Sequence, residues 1–168
     1  MTVERVWEMP SRFTFKMRAV SALLSREMSG VWADPFCGEY SPAQIRNDAD
    51  QRREADSHRD GLHFLKDFET DALDGVLFDP PYSTEQALRK YKPIHQGTAG
   101  RAEYWARCKD EIARVVVLGG KAICFGWDST GIGKTRGFEL QRILMLCHGA
   151  CHNDTIVTVE RKVRRVSI

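Results

Sequence analysis

One short stretch constrains this chain more than any other: the apolar run Val76–Phe78, which ends on an acid and two prolines. Asp74-Gly75 before the run is a turn signal, and the three apolar residues favour a β-strand. Because proline cannot continue a central ladder of hydrogen bonds, the strand must end at Asp79. The Asp79 carboxylate is therefore predicted at the carboxyl-terminal edge of a sheet, where ligands bind in open α/β folds.

The residues after this strand form a stiff corner with specific chemistry. Pro80 and Pro81 fix φ, and Pro81 drives Pro80 into an extended conformation. The Asp79 carboxylate and the Pro80 carbonyl can accept both N–H groups of an exocyclic amine on a nucleobase. The Tyr82 ring can stack on that base once it has left the helix. The alternative is an ordinary turn between a strand and a loop.

Hydrophobic periodicity predicts helices that alternate with strands. The predicted helices cover 11–28 (apolar stripe Phe15, Ala19, Ala22, Leu23), 41–46, 62–68 and 101–116, with a further helix and a long loop in 83–100. The predicted strands are 31–33, a short one before Asn47-Asp48, one ahead of Asp60, 76–78, 121–125, and an antiparallel hairpin of 143–147 and 155–159. This order predicts a doubly wound α/β fold with a mostly parallel sheet that ends in the hairpin.

Composition is that of a globular protein. The 168 residues are enough for one domain, 1–168, and leave no room for a separate target-recognition domain. No apolar run approaches the ~18 residues that span a bilayer, and Met1 to Pro10 has no signal-peptide core. The five cysteines, an odd number without a secretion signal, indicate reduced thiols and a cytoplasmic protein. The net charge of +2 permits nucleic-acid binding without requiring it.

Further acids follow the other predicted strands. The Asp34–Gly38 segment follows the first one, and a glycine there lets the backbone approach a ligand closely. Asp48 follows the second, where an acid in nucleotide-binding α/β folds holds ribose hydroxyls. Asp60 follows the third and is expected to face the adenine of a nucleotide-like cofactor. The alternatives are a plain βα turn for the first segment and helix caps for the two later acids.

Two other patterns fail closer tests. Gly133-Lys134-Thr135 matches the end of a phosphate-binding P-loop, but the first glycine of that motif would fall on Asp128. The cysteines and histidines at 147–152 are packed too closely for common zinc spacings. We therefore predict neither ATP binding nor a metal site.

Nearly the whole chain resembles small phage- and prophage-type adenine-specific DNA methyltransferases, a group of Asp-Pro-Pro-Tyr amino methyltransferases. The segments that carry the resemblance are 11–15, 34–36, 47–48, 79–83, 126–133, 148–149 and 152–155. The resemblance implies a Rossmann-like fold with helices on both faces, S-adenosyl-L-methionine as the cofactor, and the N6 amino group of adenine in DNA as the acceptor. The chain departs from this group at Glu39-Tyr40, where its members continue Ser-Gly.

The resemblance also implies a role for individual residues. The catalytic set is Asp79, Pro80, Pro81 and Tyr82. The cofactor-binding set is Phe13, Thr14, Phe15, Asp34, Pro35, Phe36, Gly38, Asp48, Asp60 and Asp79. The substrate-binding set is Tyr82, Ser83, Gln86, Lys92, Trp127, His148, His152 and Asn153. An alternative for the phenylalanines at 13 and 15 is a place in the core.

Only the loops 83–100 and 126–136 are left to contact DNA, which predicts a short or relaxed sequence specificity. Two alternatives stay open. One is amino methylation of ribosomal RNA or another nucleic acid on the same fold. The other is a non-catalytic, nucleic-acid-binding partner of a larger methyltransferase. This alternative is favoured by Tyr40, which stands where the group has a second glycine after Gly38. We expect DNA as the partner, no membrane and no metal, and we leave a homodimer open.

Overall fold

The computed structural model describes residues 1–81, 101–149 and 152–166. In these residues seven strands form one sheet. They are β1 (Thr2–Trp7), β2 (Trp32–Asp34), β3 (Ile45–Arg46), β4 (Leu73–Phe78), β5 (Val116–Gly126), β6 (Phe138–Cys147) and β7 (Thr155–Lys162). Their order is β1-β6-β7-β5-β4-β2-β3, and only β7 runs antiparallel to its neighbours. The predicted mostly parallel sheet with an antiparallel hairpin is confirmed.

Helices cover both faces of this sheet, as predicted. They are α1 (Arg18–Glu27), α2 (Gly61–Lys66) and α3 (Arg101–Val115), with short 3-10 helices at Thr14–Lys16 and Lys134–Arg136. One core cluster joins Val20 of α1 to Leu77 of β4. The other joins Leu65 of α2 and Ile112 of α3 to Val76 of β4. Adjacent residues of β4 thus enter opposite cores, as the two-residue period of a strand requires.

Strand β4 is central and buried on both faces, which explains its continuous apolar run. It pairs in parallel with β2 and β5. Gly75 is required in this strand because a Cβ there would overlap the buried ring of Trp32. The strand ends at Phe78, so Asp79 and the two prolines lie at the carboxyl edge, where the sequence predicted them.

Strand β1 was not predicted, and it explains how α1 begins. Met17, at the start of α1, provides no side-chain cap. Instead the carboxylate of Glu8, just after β1, accepts hydrogen bonds from the backbone N–H groups of Arg18 (2.5 Å) and Ala19 (2.9 Å). These bonds satisfy donors that the first turn of a helix leaves unpaired. Strand β1 itself is held at the sheet edge by parallel pairing with β6.

The predicted helix over 11–28 begins too early. The α-helix starts at Arg18, and Phe15 belongs to the preceding 3-10 helix. Ala22 is exposed, and the buried stripe of α1 is formed by Val20, Leu23 and Leu24.

The predicted helix over 41–46 is wrong. The Ser41 hydroxyl binds the side chain of Asp34 instead of capping a helix, and Ile45–Arg46 is strand β3. The predicted strand ahead of Asp60 is reduced to one isolated bridge between Asn47 and Ser57. The helix and loop predicted in 83–100 lie outside the described residues.

No helix in the described part of the chain is long and apolar enough to cross a bilayer. The four cysteines that the structure describes, Cys37, Cys108, Cys124 and Cys147, are unpaired and buried.

Candidate active site

The carboxyl ends of β2, β4 and β5 lie at the same edge of the sheet because these strands run parallel. The loops that begin after these strands therefore emerge side by side. These are the Asp34–Tyr40 loop, the Asp79–Pro81 segment and the loop that starts at Trp127. This edge brings together the main segments that the sequence singled out.

Asp34 organises the first of these loops from inside. Its side chain is fully buried. Oδ1 accepts a hydrogen bond from the Phe36 N–H (2.9 Å), and Oδ2 accepts one from the Ser41 hydroxyl (2.6 Å). Burial, together with the nearby charges of Asp79 and Asp48, raises the pKa of this carboxyl to about 7, although the two hydrogen bonds lower it. The carboxylate therefore shapes the loop, while a direct contact of Asp34 or Pro35 with a cofactor stays a prediction.

Asp48 also acts on this loop. Its buried carboxylate accepts hydrogen bonds from the N–H of Gly38 (3.0 Å) and the N–H of Asp50 (2.9 Å). Gly38 has a φ of +54°, which favours glycine, and a Cβ there would meet no atom of the described residues within 4 Å. The space next to the Gly38 Cα is therefore open among the described residues, and Asp48 fixes the backbone of Gly38. The predicted ribose contact of Asp48 stays a prediction.

Asp60 is the N-cap of α2. Its Oδ1 accepts hydrogen bonds from the N–H groups of Leu62 (3.0 Å) and His63 (3.3 Å), and its Oδ2 accepts one from the Tyr104 hydroxyl (2.8 Å). The capping alternative therefore holds. A contact of Asp60 with the adenine of the cofactor stays a prediction.

A first cleft, of about 360 Å³, lies against the Asp34–Tyr40 loop. Its walls combine aromatic rings, both signs of charge and the catalytic acid predicted from sequence. They are formed by Arg12, Phe13, Thr14, Phe15, Phe36, Cys37, Gly38, Glu39, Arg53 and Asp79. Six of these positions belong to the predicted cofactor-binding set, and the structure brings them into one place.

The segment ahead of α1 forms one wall of this cleft. Phe15 is buried and packs edge-to-face on Phe125 of β5, with ring centroids 5.7 Å apart. The core alternative therefore holds for Phe15, although the residue also lines the cleft. Phe13 is only partly buried and packs edge-to-face on the Tyr40 ring at 5.0 Å.

A second cleft, of about 180 Å³, lies along the next part of the catalytic segment. It is lined by Phe78, Pro80, Pro81, Trp105, Lys109, Cys124, Phe125, Trp127, Asp128, Thr130 and Gly131. Asp79 borders the first cleft and the two prolines border the second, so one rigid segment is shared by both. The Trp127 side chain is 45% exposed, which leaves an aromatic surface accessible beside the second cleft.

A buried acid holds the loop that carries Trp127. The carboxylate of Glu160, on β7, accepts hydrogen bonds from the N–H groups of Ile132 (2.5 Å) and Gly133 (3.1 Å). Burial raises the pKa of this carboxyl, although the two N–H groups oppose the shift. Within the loop, Asp128 accepts hydrogen bonds from the N–H and hydroxyl of Thr130. The position of the loop therefore depends on β7.

The described residues of the turn between β6 and β7 line neither cleft. His148 is buried, with Nδ1 2.7 Å from the carbonyl oxygen of Glu8 and Nε2 3.0 Å from the Thr155 hydroxyl. It therefore ties this turn to the end of β1. His152 and Asn153 are exposed in the turn. A contact of these three residues with substrate stays a prediction.

The predicted residues Tyr82, Ser83, Gln86 and Lys92 lie outside the described residues. Among the residues that the structure does describe, no group of three or more His, Cys, Asp or Glu side chains could hold a metal ion. Burial raises the pKa of the Cys37 thiol in the first cleft to about 12, so this thiol is neutral near pH 7.

Sequence reasoning missed five charged residues of the clefts: Arg12, Glu39, Arg53, Lys109 and Asp128. Glu39 and Arg53 form an ion pair with each other at the first cleft. Glu39 was within reach of prediction because it directly follows Gly38. Arg53 stood out only as part of a basic cluster with Arg46 and Arg52, and Lys109 gave no signal, since distance along the chain conceals their positions in the fold.

No protein-family model matches the chain. No curated protein sequence matches it either.

Solved structures do match its fold. TrmN from Thermus thermophilus superimposes with a TM-score of 0.53 at 16% identity, over 88% of this chain and 49% of TrmN. A 1,6-didemethyltoxoflavin-N1-methyltransferase from Burkholderia thailandensis, with bound 1,6-didemethyltoxoflavin and S-adenosylhomocysteine, gives 0.55 at 12% identity, over 88% and 78% of the two chains. The N-methyltransferase NodS from Bradyrhizobium japonicum gives 0.50 at 9% identity, over 84% and 90%.

This chain therefore spans about half the length of TrmN. At these identities the likeness establishes the fold, which is the Rossmann-like α/β fold of these methyltransferases.

Proposed function

We propose that this chain transfers a methyl group from S-adenosyl-L-methionine to the N6 amino group of adenine in DNA. The observation that carries the proposal is the position of the Asp79–Pro81 segment on the borders of both clefts. Such a segment can hold an acceptor amine between a cofactor on one side and a base on the other. The partner, DNA, belongs to the same proposal.

The first cleft fits S-adenosyl-L-methionine in charge and shape. The cofactor carries a carboxylate, an ammonium and a sulfonium. The cleft offers the cation Arg12 and the Glu39–Arg53 ion pair, with Asp79 at its border toward the acceptor. The open space at Gly38 lets a ligand approach the backbone of the loop. S-adenosylhomocysteine, the demethylated product, is bound in the matching Burkholderia thailandensis structure.

The residues of this chain would act on the acceptor. Bound S-adenosyl-L-methionine would supply the methyl group from its positively charged sulfur. The Asp79 carboxylate and the Pro80 carbonyl would accept the two N–H groups of the adenine amine, which turns its lone pair away from the ring and toward the methyl carbon. An acceptor aimed at developing positive charge also stabilises the transition state. The Trp127 ring, which borders the second cleft and is 45% exposed, would stack on the base.

The missing second glycine no longer favours a non-catalytic partner. Tyr40, which stands at that position, has a φ of +65° and therefore adopts the left-handed conformation that a glycine would adopt. The backbone of the loop can thus follow a glycine-like path without the glycine. This supports a cofactor-binding loop and hence an enzyme.

Transfer of labelled methyl groups tests the proposal. The purified chain is mixed with methyl-labelled S-adenosyl-L-methionine and with single-stranded DNA, double-stranded DNA or RNA, and the nucleosides are identified by mass spectrometry. N6-methyladenine from DNA supports the proposal. Label in RNA alone would establish the RNA alternative, and a chain that binds no S-adenosylhomocysteine in calorimetry would overturn the cofactor assignment.

A further inference from the structure

Tyr40 holds an uncommon backbone conformation. Its φ of +65° places a bulky, non-glycine residue in the left-handed region. Such conformations are strained, persist only where the surroundings impose them, and cluster at functional sites. The ring is 55% exposed, so burial does little to compensate for the strain. A glycine at this position would avoid the strain, which raises the question of what the side chain contributes.

The Tyr40 ring contacts the segment in front of α1 on two sides. It packs edge-to-face on Phe13, with centroids 5.0 Å apart and an angle of 87° between the rings. The Lys16 Nζ lies 4.2 Å from the Tyr40 ring centroid, in a cation–π contact. Phe13 in turn lies under the Arg12 guanidinium at 4.3 Å. Tyr40 thus joins the Asp34–Tyr40 loop to the Arg12–Lys16 segment.

These contacts connect two segments that both line the first cleft. Arg12, Phe13 and Phe15 come from the segment in front of α1, and Gly38 and Glu39, directly before Tyr40, come from the loop after β2. Phe15 is fixed by the core, whereas Arg12 is exposed and Phe13 is only partly buried. The outer part of the segment therefore depends on the Tyr40 ring for its position over the cleft.

We propose that Tyr40 is a positioning residue that holds the Arg12–Lys16 segment over the bound cofactor through its aromatic ring. The inference rests on the proposed function, because it takes the first cleft as the cofactor site. In this chain the side chain at position 40 therefore supplies a contact that a glycine could not, and the left-handed backbone is the conformation that directs the ring toward Phe13.

Three substitutions separate the ring from the backbone. Tyr40→Phe keeps the ring and removes only the hydroxyl. Tyr40→Ala removes the ring and keeps a Cβ in the left-handed conformation. Tyr40→Gly removes the ring and relieves the strain. Trp7→Ala is the control, because it removes an exposed aromatic ring that does not line the cleft.

Calorimetry with S-adenosylhomocysteine gives the first measurement. We expect the Tyr40→Phe and Trp7→Ala variants to bind within about twofold of the unchanged protein. The Tyr40→Ala and Tyr40→Gly variants should both bind about fivefold to tenfold more weakly, since an aromatic pair is lost in each. Unchanged affinity in Tyr40→Ala would overturn the proposal. Unchanged affinity in Tyr40→Gly together with weak binding in Tyr40→Ala would also overturn it, because the backbone alone would then matter.

A double-mutant cycle with Phe13→Ala tests whether Tyr40 acts through Phe13. We expect that in a Phe13→Ala background the loss of the Tyr40 ring weakens binding by less than about twofold further. Full additivity of the two effects would contradict the assigned contact.

Limited trypsin digestion separates this inference from the proposed function. Arg12 and Lys16 are exposed cleavage sites in the segment. Without any ligand, we expect faster cleavage there in the Tyr40→Ala and Tyr40→Gly variants than in Tyr40→Phe. If the unchanged protein binds no S-adenosylhomocysteine, the cofactor assignment fails while this cleavage order still supports the contact. Equal cleavage in all variants would overturn the positioning role even in a protein that binds the cofactor.

Discussion

The backbone N–H of Gly38 donates a hydrogen bond of 3.0 Å to Oδ2 of Asp48. The loop after β2 is thereby fixed by the acid that follows β3, and the same carboxylate also accepts the N–H of Asp50. Asp48 was expected to bind a ribose. Its position indicates that it first of all holds the loop on which the first cleft depends.

Asp48→Ala should lower both stability and cofactor affinity. The substitution leaves the partly buried N–H groups of Gly38 and Asp50 without their acceptor, which costs about 1–3 kcal/mol in unfolding free energy. Urea unfolding measures the first effect and calorimetry with S-adenosylhomocysteine the second. Asp48→Asn keeps one acceptor oxygen and should lose less of both. An Asp48→Ala variant with unchanged stability would contradict the role of Asp48 in holding the loop after β2.

Asp34 should make the protein less stable as the pH rises toward neutrality. Its folded-state pKa is raised to about 7, whereas the unfolded chain has a value of about 3.9. The folded state therefore binds the proton more tightly, and its stabilising contribution is present below about pH 4 and is lost as the pH rises to about 7. The slope is at most ~1.4 kcal/mol per pH unit.

Urea unfolding at several pH values between 5 and 8 measures this slope. The Asp34→Asn variant can still accept the Phe36 N–H through its amide oxygen, but it carries no titrating group. We expect its stability to fall less across this range. Parallel curves for the two proteins would rule out a raised pKa at Asp34.

Glu160→Ala should destabilise the chain and loosen the loop that carries Trp127. The N–H groups of Ile132 and Gly133 would lose their acceptor, at a cost of about 2–4 kcal/mol in unfolding free energy. Glu160→Gln, which keeps one acceptor, should lose about half as much or less. Glu139→Ala, at an exposed position of β6, is the matched control and should be nearly neutral. Thermal unfolding and Trp127 fluorescence measure the two effects.

Asp79→Ala should abolish methyl transfer while cofactor affinity changes by no more than a few-fold. The carboxylate is assigned to the reacting amine, and the loss of a charged acceptor at that point costs on the order of 10²-fold or more in rate. Single-turnover kinetics with labelled cofactor measures the rate. Turnover close to that of the unchanged protein would refute the catalytic assignment of Asp79.

Methylation by this chain alone should occur within a very short sequence context or at almost any adenine. Each good bidentate contact to a base edge supplies only ~1–3 kcal/mol of discrimination, and the two segments that the sequence predicts as DNA contacts, 83–100 and 126–136, can make few such contacts. Mapping of N6-methyladenine in DNA from cells that express the chain measures the context. A fixed recognition site of five or more bases would show that a further subunit reads the DNA.

The end of the strand before Asp79 could be predicted because its cause is local. Two consecutive prolines interrupt the backbone hydrogen bonds of a central β-strand in any fold. The arrangement of strands and helices was predictable for the same reason, since apolar periodicity is strong in β4, β5 and α3. The helix over 41–46 failed because Ser41-Pro42 has the composition of a helix start, while the Ser41 hydroxyl is taken by the buried Asp34.

Strand β1 could not be predicted because its partner lies far along the chain, as the contact between Glu8 and His148, 140 residues apart, illustrates. The roles of Asp34, Asp48 and Asp60 were only half accessible. The sequence placed Asp34 and Asp48 directly after strands, and a helix cap was among the alternatives for Asp60. Only the fold shows that Asp34 and Asp48 both accept backbone N–H groups of the loop after β2.

The Glu8 cap on α1 has a consequence for the order in which the protein acquires its structure during synthesis. Every described residue that lines the first cleft precedes Pro80. Yet Glu8 is held in place by β1, which among the described strands pairs with β6, and the Glu8 N–H donates to the Cys147 carbonyl. A nascent chain that has left the ribosome only as far as β5 would thus contain all of these lining residues without the strand that positions Glu8. A premature stop before β6 should therefore abolish cofactor binding although it removes none of the lining residues that the structure describes.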